Sequence, residues 1–77
     1  MEAFMFVTKV IDSVCKENRN AKKIDDNSFR IGSNSIRIYD NGGIYDVTRF
    51  GLKFTDVPQT KRSVFAPELK DVIRNFI

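Results

Sequence analysis

Histidine and tryptophan are absent from the 77 residues, cysteine occurs once and proline twice. Without histidine, the commonest general base and a principal nitrogen ligand for metals are missing. A lone cysteine, Cys15, excludes an internal disulfide, on several of which small secreted domains normally depend. No run is long and apolar enough to cross a bilayer. The start, Met1 to Lys9, has no basic segment ahead of its apolar residues and reaches Lys9 too soon for a secretory signal. These absences set the expectation of a cytoplasmic protein with no membrane partner. There is no internal repeat, low-complexity run or Pro/Ser-rich linker, so residues 1–77 are expected to form a single domain.

The residue pattern also offers little for catalysis. Cys15 lies beside Val14 at the apolar edge of a helical stretch, where a structural, half-buried thiol is the simplest reading. Asp25, Asp26 and Asp40 fall at turn positions, where aspartate hydrogen-bonds its own backbone. Gly42-Gly43 and Gly51 match no phosphate-binding loop. The expectation is a protein that is not an enzyme and holds no metal and no cofactor.

What is present describes a small globular domain. Hydrophobic residues make up 42% and charged residues 30% of the chain, well away from disordered compositions. At this size roughly 60% of the chain's surface can be buried, which leaves few core positions to spare. Thirteen Lys and Arg against ten Asp and Glu give a net charge of +3, a mild basicity that matters chiefly by where it is placed. Lys16, Arg19, Lys22 and Lys23 are concentrated at the end of the first helical stretch, where cations suit the negative end of a helix dipole.

Val7, Val10, Ile11 and Val14 recur at helical spacing, extended by Ala3 and Phe4, and predict a helix from about Ala3 to about Glu17. From about Ala21 the period changes to that of a strand. Turn pairs at Asp26-Asn27, Ser33-Asn34 and Asn41-Gly42 divide the stretch. Treated as two-residue turns, they place Ile24, Phe29, Ile38 and Tyr45 in one apolar row and Ile31, Ile36 and Val47 in another, on the same sheet face. After Thr48 the alternation shifts phase. Phe50, Leu52 and Phe54 around Gly51 predict a bulge that extends the fourth strand. Arg49 and Lys53 fall at the phase shift and receive no face. Residues 56–63, with Pro58 inside, read as a loop. Pro67 opens a second helix, whose stripe is Leu69, Val72, Ile73, Phe76 and Ile77. The expected fold is α+β, a two-layer α-β-β-β-β-α domain in which a four-stranded antiparallel meander carries N- and C-terminal helices on one face.

The face left uncovered is where this register places charge. Lys23, Arg30 and Arg37 come side by side across three strands, with Asp46 closing the row and Tyr39 and Ile44 next to it. Like charges directly opposite each other destabilise a sheet, so a ligand that neutralises them is a natural reading. The leading expectation is a non-catalytic protein that binds nucleic-acid backbone through Lys23, Arg30 and Arg37, assisted by Tyr39, Lys61 and Arg62. The alternative is a protein-interaction module or inhibitor that binds an acidic partner or adds a partner strand at the edge near Ala21–Asp25. A homodimer through Tyr39, Ile44, Phe50 and Phe54 is a third reading. For either of the first two readings, Arg37→Glu is expected to weaken the partner without disturbing the fold. The order of elements resembles the α-β-β-β-α layout of double-stranded-RNA-binding domains, in which both helices cover one sheet face. The glycine- and lysine-rich signature that opens the last helix of those domains is absent here, where Thr60-Lys61-Arg62-Ser63-Val64-Phe65 stands.

Overall fold

The computed structural model describes the backbone of residues 2–76 and the side chains of residues 6–76. Helix α1 (Glu2–Glu17) leads into five antiparallel strands, β1 (Ala21–Asp25), β2 (Ser28–Ile31), β3 (Asn34–Asn41), β4 (Ile44–Phe50) and β5 (Thr60–Phe65). A single 3-10 turn (Ala66–Glu68) then delivers the chain to α2 (Leu69–Phe76). The strands lie in chain order, β1-β2-β3-β4-β5. The α+β class expected from the pattern holds, with one strand more than expected.

The apolar stripes do as their spacing dictates. Val7, Ile11 and Val14 of α1 and Leu69, Val72, Ile73 and Phe76 of α2 are buried in one cluster with Phe29, Ile31, Ile36, Ile38, Tyr45, Val47 and Val64. Those sheet residues alternate along their strands, so they share one face and the helices meet the sheet there. Of the residues expected on the helical stripes, the side chains of Ala3 and Phe4 and the whole of Ile77 lie outside the described residues.

Two turns sit one residue earlier or later than the turn dipeptides suggested. The central residues are Gly32-Ser33 and Gly42-Gly43 rather than Ser33-Asn34 and Asn41-Gly42. Gly32 (φ 57°), Gly42 (φ 66°) and Gly43 (φ 93°) take the left-handed angles that such tight turns need, and glycine reaches these without the steric penalty asparagine meets. The pairing therefore becomes Phe29↔Ile36 and Ile38↔Val47 in place of Phe29↔Ile38 and Ile38↔Tyr45. Each register moves by two residues, so every side chain keeps its face.

The first hairpin differs more deeply. Its turn is at Asp26-Asn27 as expected and Asp25 pairs with Ser28, but the register shifts between Lys23 and Asp25. Beyond that bulge the odd residue out is Ile24, and Ala21, Lys22 and Lys23 face opposite Ile31, Arg30 and Phe29. A bulge of one residue flips everything beyond it. Ile24, expected in the core, is 44% exposed. Lys23 moves to the helix side, where its ammonium meets Asp12 Oδ1 of α1 at 3.1 Å.

The fourth strand is not extended past Gly51. It ends at Phe50, and residues 51–59 form a loop. Leu52 is 55% exposed. Residues 60–63, read as loop, instead begin β5, which pairs with β4 without a break from Ile44↔Phe65 to Arg49↔Thr60. Only Val64 of β5 is buried, so the strand has no apolar alternation to betray it, and it is held through its backbone.

The helices are clasped at their far ends by Glu17. Its carboxylate accepts hydrogen bonds from Arg74 Nη2 at 3.0 and 3.1 Å and pairs with Lys70 Nζ at 3.0 Å. Those bonds, Arg74's first and Lys70's second, hold the Glu17 carboxyl below its ordinary pKa. Asp25 is also lowered: partial burial pushes it up, but hydrogen bonds from Ser28 Oγ and the Asn27 amide and the charge of Arg37 outweigh that. A carboxyl whose folded pKa is depressed stabilises the fold above its unfolded pKa and stops doing so as pH falls through the folded value. The melting temperature is therefore expected to be flat from about pH 7 to about pH 5 and to fall below about pH 4, the ordinary carboxylate range. Circular dichroism melts across that span check this, and Glu17→Gln should remove part of the acid-side slope.

Candidate interaction surface

The sheet face away from the helices carries, by alternation, Ser28 and Arg30 of β2, Ser35, Arg37, Tyr39 and Asn41 of β3, Ile44, Asp46, Thr48 and Phe50 of β4, and Lys61, Ser63 and Phe65 of β5. Lys22 joins them as the partner of Arg30. At one end the 51–59 loop folds back over this face. Ser35 donates its amide to Gly51 O at 3.0 Å and its hydroxyl to Leu52 O at 3.0 Å. Phe54 packs edge-on to Phe50, with ring centroids 5.6 Å apart. Ser28, Ser35, Thr48 and Phe50 are buried in consequence.

The cations expected in one row are dispersed. Arg30 stands opposite Ser35 and Arg37 opposite Ser28 and Thr48, so serines separate the two arginines, and the like-charge opposition that does arise is that of Lys22 and Arg30. Lys23 is on the other face, paired with Asp12. Lys61 shares the free face with Arg37 across Thr48, whereas Arg62 sits opposite Val47 on the helix side. Lys22, on the free face beside Arg30, was overlooked because the bulge that turns it outward has no sequence signal. Arg49 belongs to the helix side, where it donates to the Phe76 carbonyl at 3.4 Å and to Thr60 Oγ1 at 3.3 Å.

Arg37 has a structural role of its own. Its guanidinium lies 4.1 Å from the centroid of Phe54, and Nη2 is 3.8 Å from Asp25 Oδ2. It thus ties the covering loop to the first hairpin. Arg37→Glu would set a carboxylate beside Asp25 and lose the stacking, so the expectation of an undisturbed fold does not stand. For Arg37→Ala, an exposed cation–π contact and a partly exposed ion pair together predict a loss of about 1 kcal/mol. Faster hydrogen exchange at the Ser35 and Gln59 amides, which bond Gly51 O and Arg49 O, would show that the loop has loosened.

At the other end the face is bare. Ile44 and Phe65 are direct cross-strand partners, and Tyr39 stands opposite Asp46 one pleat away. They are 40%, 60% and 41% exposed respectively. Asp46 lies among them, only 8% exposed, and its carboxylate accepts hydrogen bonds from Asn41 Nδ2 and Ser63 Oγ. Tyr39 was recognisable from its alternation. Phe65 was missed with the strand that carries it, whose single buried side chain leaves no alternation to read.

Elsewhere the chemistry is sparse. Partial burial first, and the nearby Asp12 second, raise the pKa of Cys15, with Lys23 opposing them; a raised pKa keeps the thiol protonated and unreactive near neutrality. Among the described residues no group of His, Cys, Asp or Glu is placed to hold a metal ion, and no helix is long and apolar enough to cross a membrane. No protein-family model, no curated protein and no solved structure matches this chain.

Proposed function

We propose that this protein is a non-catalytic binding module that engages another protein through the bare end of its free sheet face, with Tyr39, Ile44 and Phe65 as the anchoring side chains. The observation that carries this reading is the adjacency of those exposed apolar groups on β3, β4 and β5. In a domain of this size large apolar side chains are scarce, and a contiguous exposed group of them is characteristic of protein interfaces. Tyrosine and phenylalanine are enriched at such sites because they offer a large apolar area at little loss of side-chain freedom. Asn41 and Ser63, which donate to the enclosed Asp46 carboxylate, are polar groups of the kind that accompany the apolar anchors of an interface.

The positive groups on the same side, Lys22, Arg30, Arg37 and Lys61, support nucleic-acid backbone as a second ligand class. Against it, Asp46 sits in the middle of the bare area, where a carboxylate repels phosphate, and Arg37 is engaged by Phe54 and Asp25. These observations favour a protein, one whose acidic groups meet Lys61 beside the apolar end.

Affinity purification from source cells, with and without nuclease, separates the readings. The expected result is a partner protein that survives nuclease and is lost with Ile44→Ser. Nucleic acid bound to the purified protein at low salt, released steeply by added salt and abolished by Lys22→Glu with Lys61→Glu, would establish the second reading instead.

A further inference from the structure

The outer edge of β5 adjoins the apolar area and is open. β5 is the last strand of the sheet, it pairs with β4 without a bulge, and every residue in it except Val64 is exposed. It contains neither proline nor glycine. An exposed, regular edge of this kind presents a row of unpaired backbone donors and acceptors, which proteins ordinarily shield. The opposite edge is blunted in a familiar way: β1 is broken by its bulge, and Lys23 within it is held by Asp12.

What β5 displays specifies its occupant. Lys61 projects to the free face beside Thr48 and Arg62 to the helix side beside Val47. Both are exposed, and neither is in an ion pair among the described residues. Phe65 follows on the Lys61 face, continuous with Ile44 and Tyr39. We infer that β5 accepts an extended acidic segment of the partner as a sixth strand, in which consecutive carboxylates pair with Lys61 and Arg62 on opposite faces and an apolar residue packs on Phe65. This deepens the proposed function and rests on it, since the anchoring side chains are shared. Main-chain bonds to β5 supply affinity, and the alternating side chains supply selectivity. In antiparallel alignment the segment reads apolar–x–x–acidic–acidic, matching the order Phe65, Val64, Ser63, Arg62, Lys61 on the edge it meets. A second copy of β5 is a poor occupant, because it would bring Lys61 and Arg62 of both copies to one seam, where like charges repel.

Arg62 is the residue that distinguishes an added strand from a partner lying flat on the free face, because it points the other way. Peptide display against the folded protein is expected to enrich the apolar–x–x–acidic–acidic pattern. A synthetic peptide of that pattern should slow hydrogen exchange at alternate amides of residues 60–65 in NMR spectra. Its binding should weaken about 5-fold with Arg62→Glu, the size expected for an exposed ion pair, and should be lost when its own β5-facing amides are N-methylated. Binding that shifts Tyr39, Ile44 and Phe65 but leaves the β5 amides exchanging freely and is indifferent to Arg62→Glu overturns the added strand and keeps the face-binding reading. Enrichment of peptides without acidic residues also overturns it. A dimer that protects β5 in the absence of peptide replaces the segment with a second copy, and no selectable peptide together with no partner retained in cells sinks both readings.

Discussion

Replacing Phe29 by alanine is expected to cost about 3–5 kcal/mol, the range for emptying a buried aromatic site. A domain of this length has a total stability of about 4–12 kcal/mol, so the variant should lose from about a quarter to all of it. Phe29 is fully buried in the short strand β2, where it pairs with Ile36 of β3 and Lys23 of β1. Its ring belongs to the same buried cluster as Val7, Ile11 and Val14 of α1 and Ile36 and Ile38 of β3, on the side of the sheet where α1 packs against β1 and β2. Those neighbours are tied to separate elements and cannot all close on the vacated volume, which is the circumstance in which the cavity contribution persists. Urea titration followed by circular dichroism measures the effect, with the midpoint falling sharply or no folded baseline remaining. Ile24→Ala is the matched control. It should change stability by less than about 0.5 kcal/mol, as substitutions away from buried features usually do.

Phe29 and Ile24 also mark how far the sequence could be read. Alternation puts them in one apolar row, and nothing in Lys22-Lys23-Ile24-Asp25 announces the bulge that separates them. The bulge is decided by tertiary contacts: it turns Ala21 towards the core opposite Ile31 and brings Lys23 to Asp12, at the expense of exposing Ile24. Helical stripes were legible because several residues repeat the same offset, and an error at one position does not move the rest. The β2–β3 and β3–β4 hairpins kept their faces although their turns were misplaced, because glycine displaced asparagine from the positions of positive φ and the register moved by an even step.

The same logic explains what was missed. β5 has a single buried side chain, so its existence depends on backbone pairing to β4, which leaves no hydrophobic period. The Phe50–Leu52–Phe54 series resembled a strand, yet only Phe50 and Phe54 have a use for their apolar surface, against each other and under Arg37. The candidate site changed accordingly. Its cationic half was inferred by carrying Lys23, Arg30 and Arg37 through an unbroken register, and was dispersed by the bulge, which turned Lys23 away, and by the shifted turn at Gly32-Ser33, which set serines opposite Arg30 and Arg37. Tyr39 and Ile44, expected beside that row, remain exposed and gain Phe65 as a neighbour.

The largest functional effect is expected from Phe65→Ser, which should weaken binding of the partner protein by about 2 kcal/mol or more, some 30-fold, as truncation of an aromatic anchor does. Phe65 has the greatest exposure of the three, so it has the most surface left to bury on binding, and its partner Ile44 fixes one flank. Its backbone remains paired in β5 whatever the side chain, and the residue makes no part of the buried cluster. The folded state should thus lose little: a melting temperature near that of the original chain is the required accompaniment, and a large fall would mean that Phe65 is structural. Tyr39→Ser should act in the same direction and, being one pleat away in the same patch, the double variant should depart from simple additivity. Isothermal titration or surface plasmon resonance with the purified partner reads these changes, mainly as faster dissociation. Raising the salt concentration should affect Phe65→Ser and the original protein alike, since the lost contact carries no charge, whereas a variant at Lys61 should reduce the salt sensitivity itself. An unaltered affinity in Phe65→Ser would place the contact elsewhere on the molecule, and with it the argument that scarce apolar surface is kept in water for a partner.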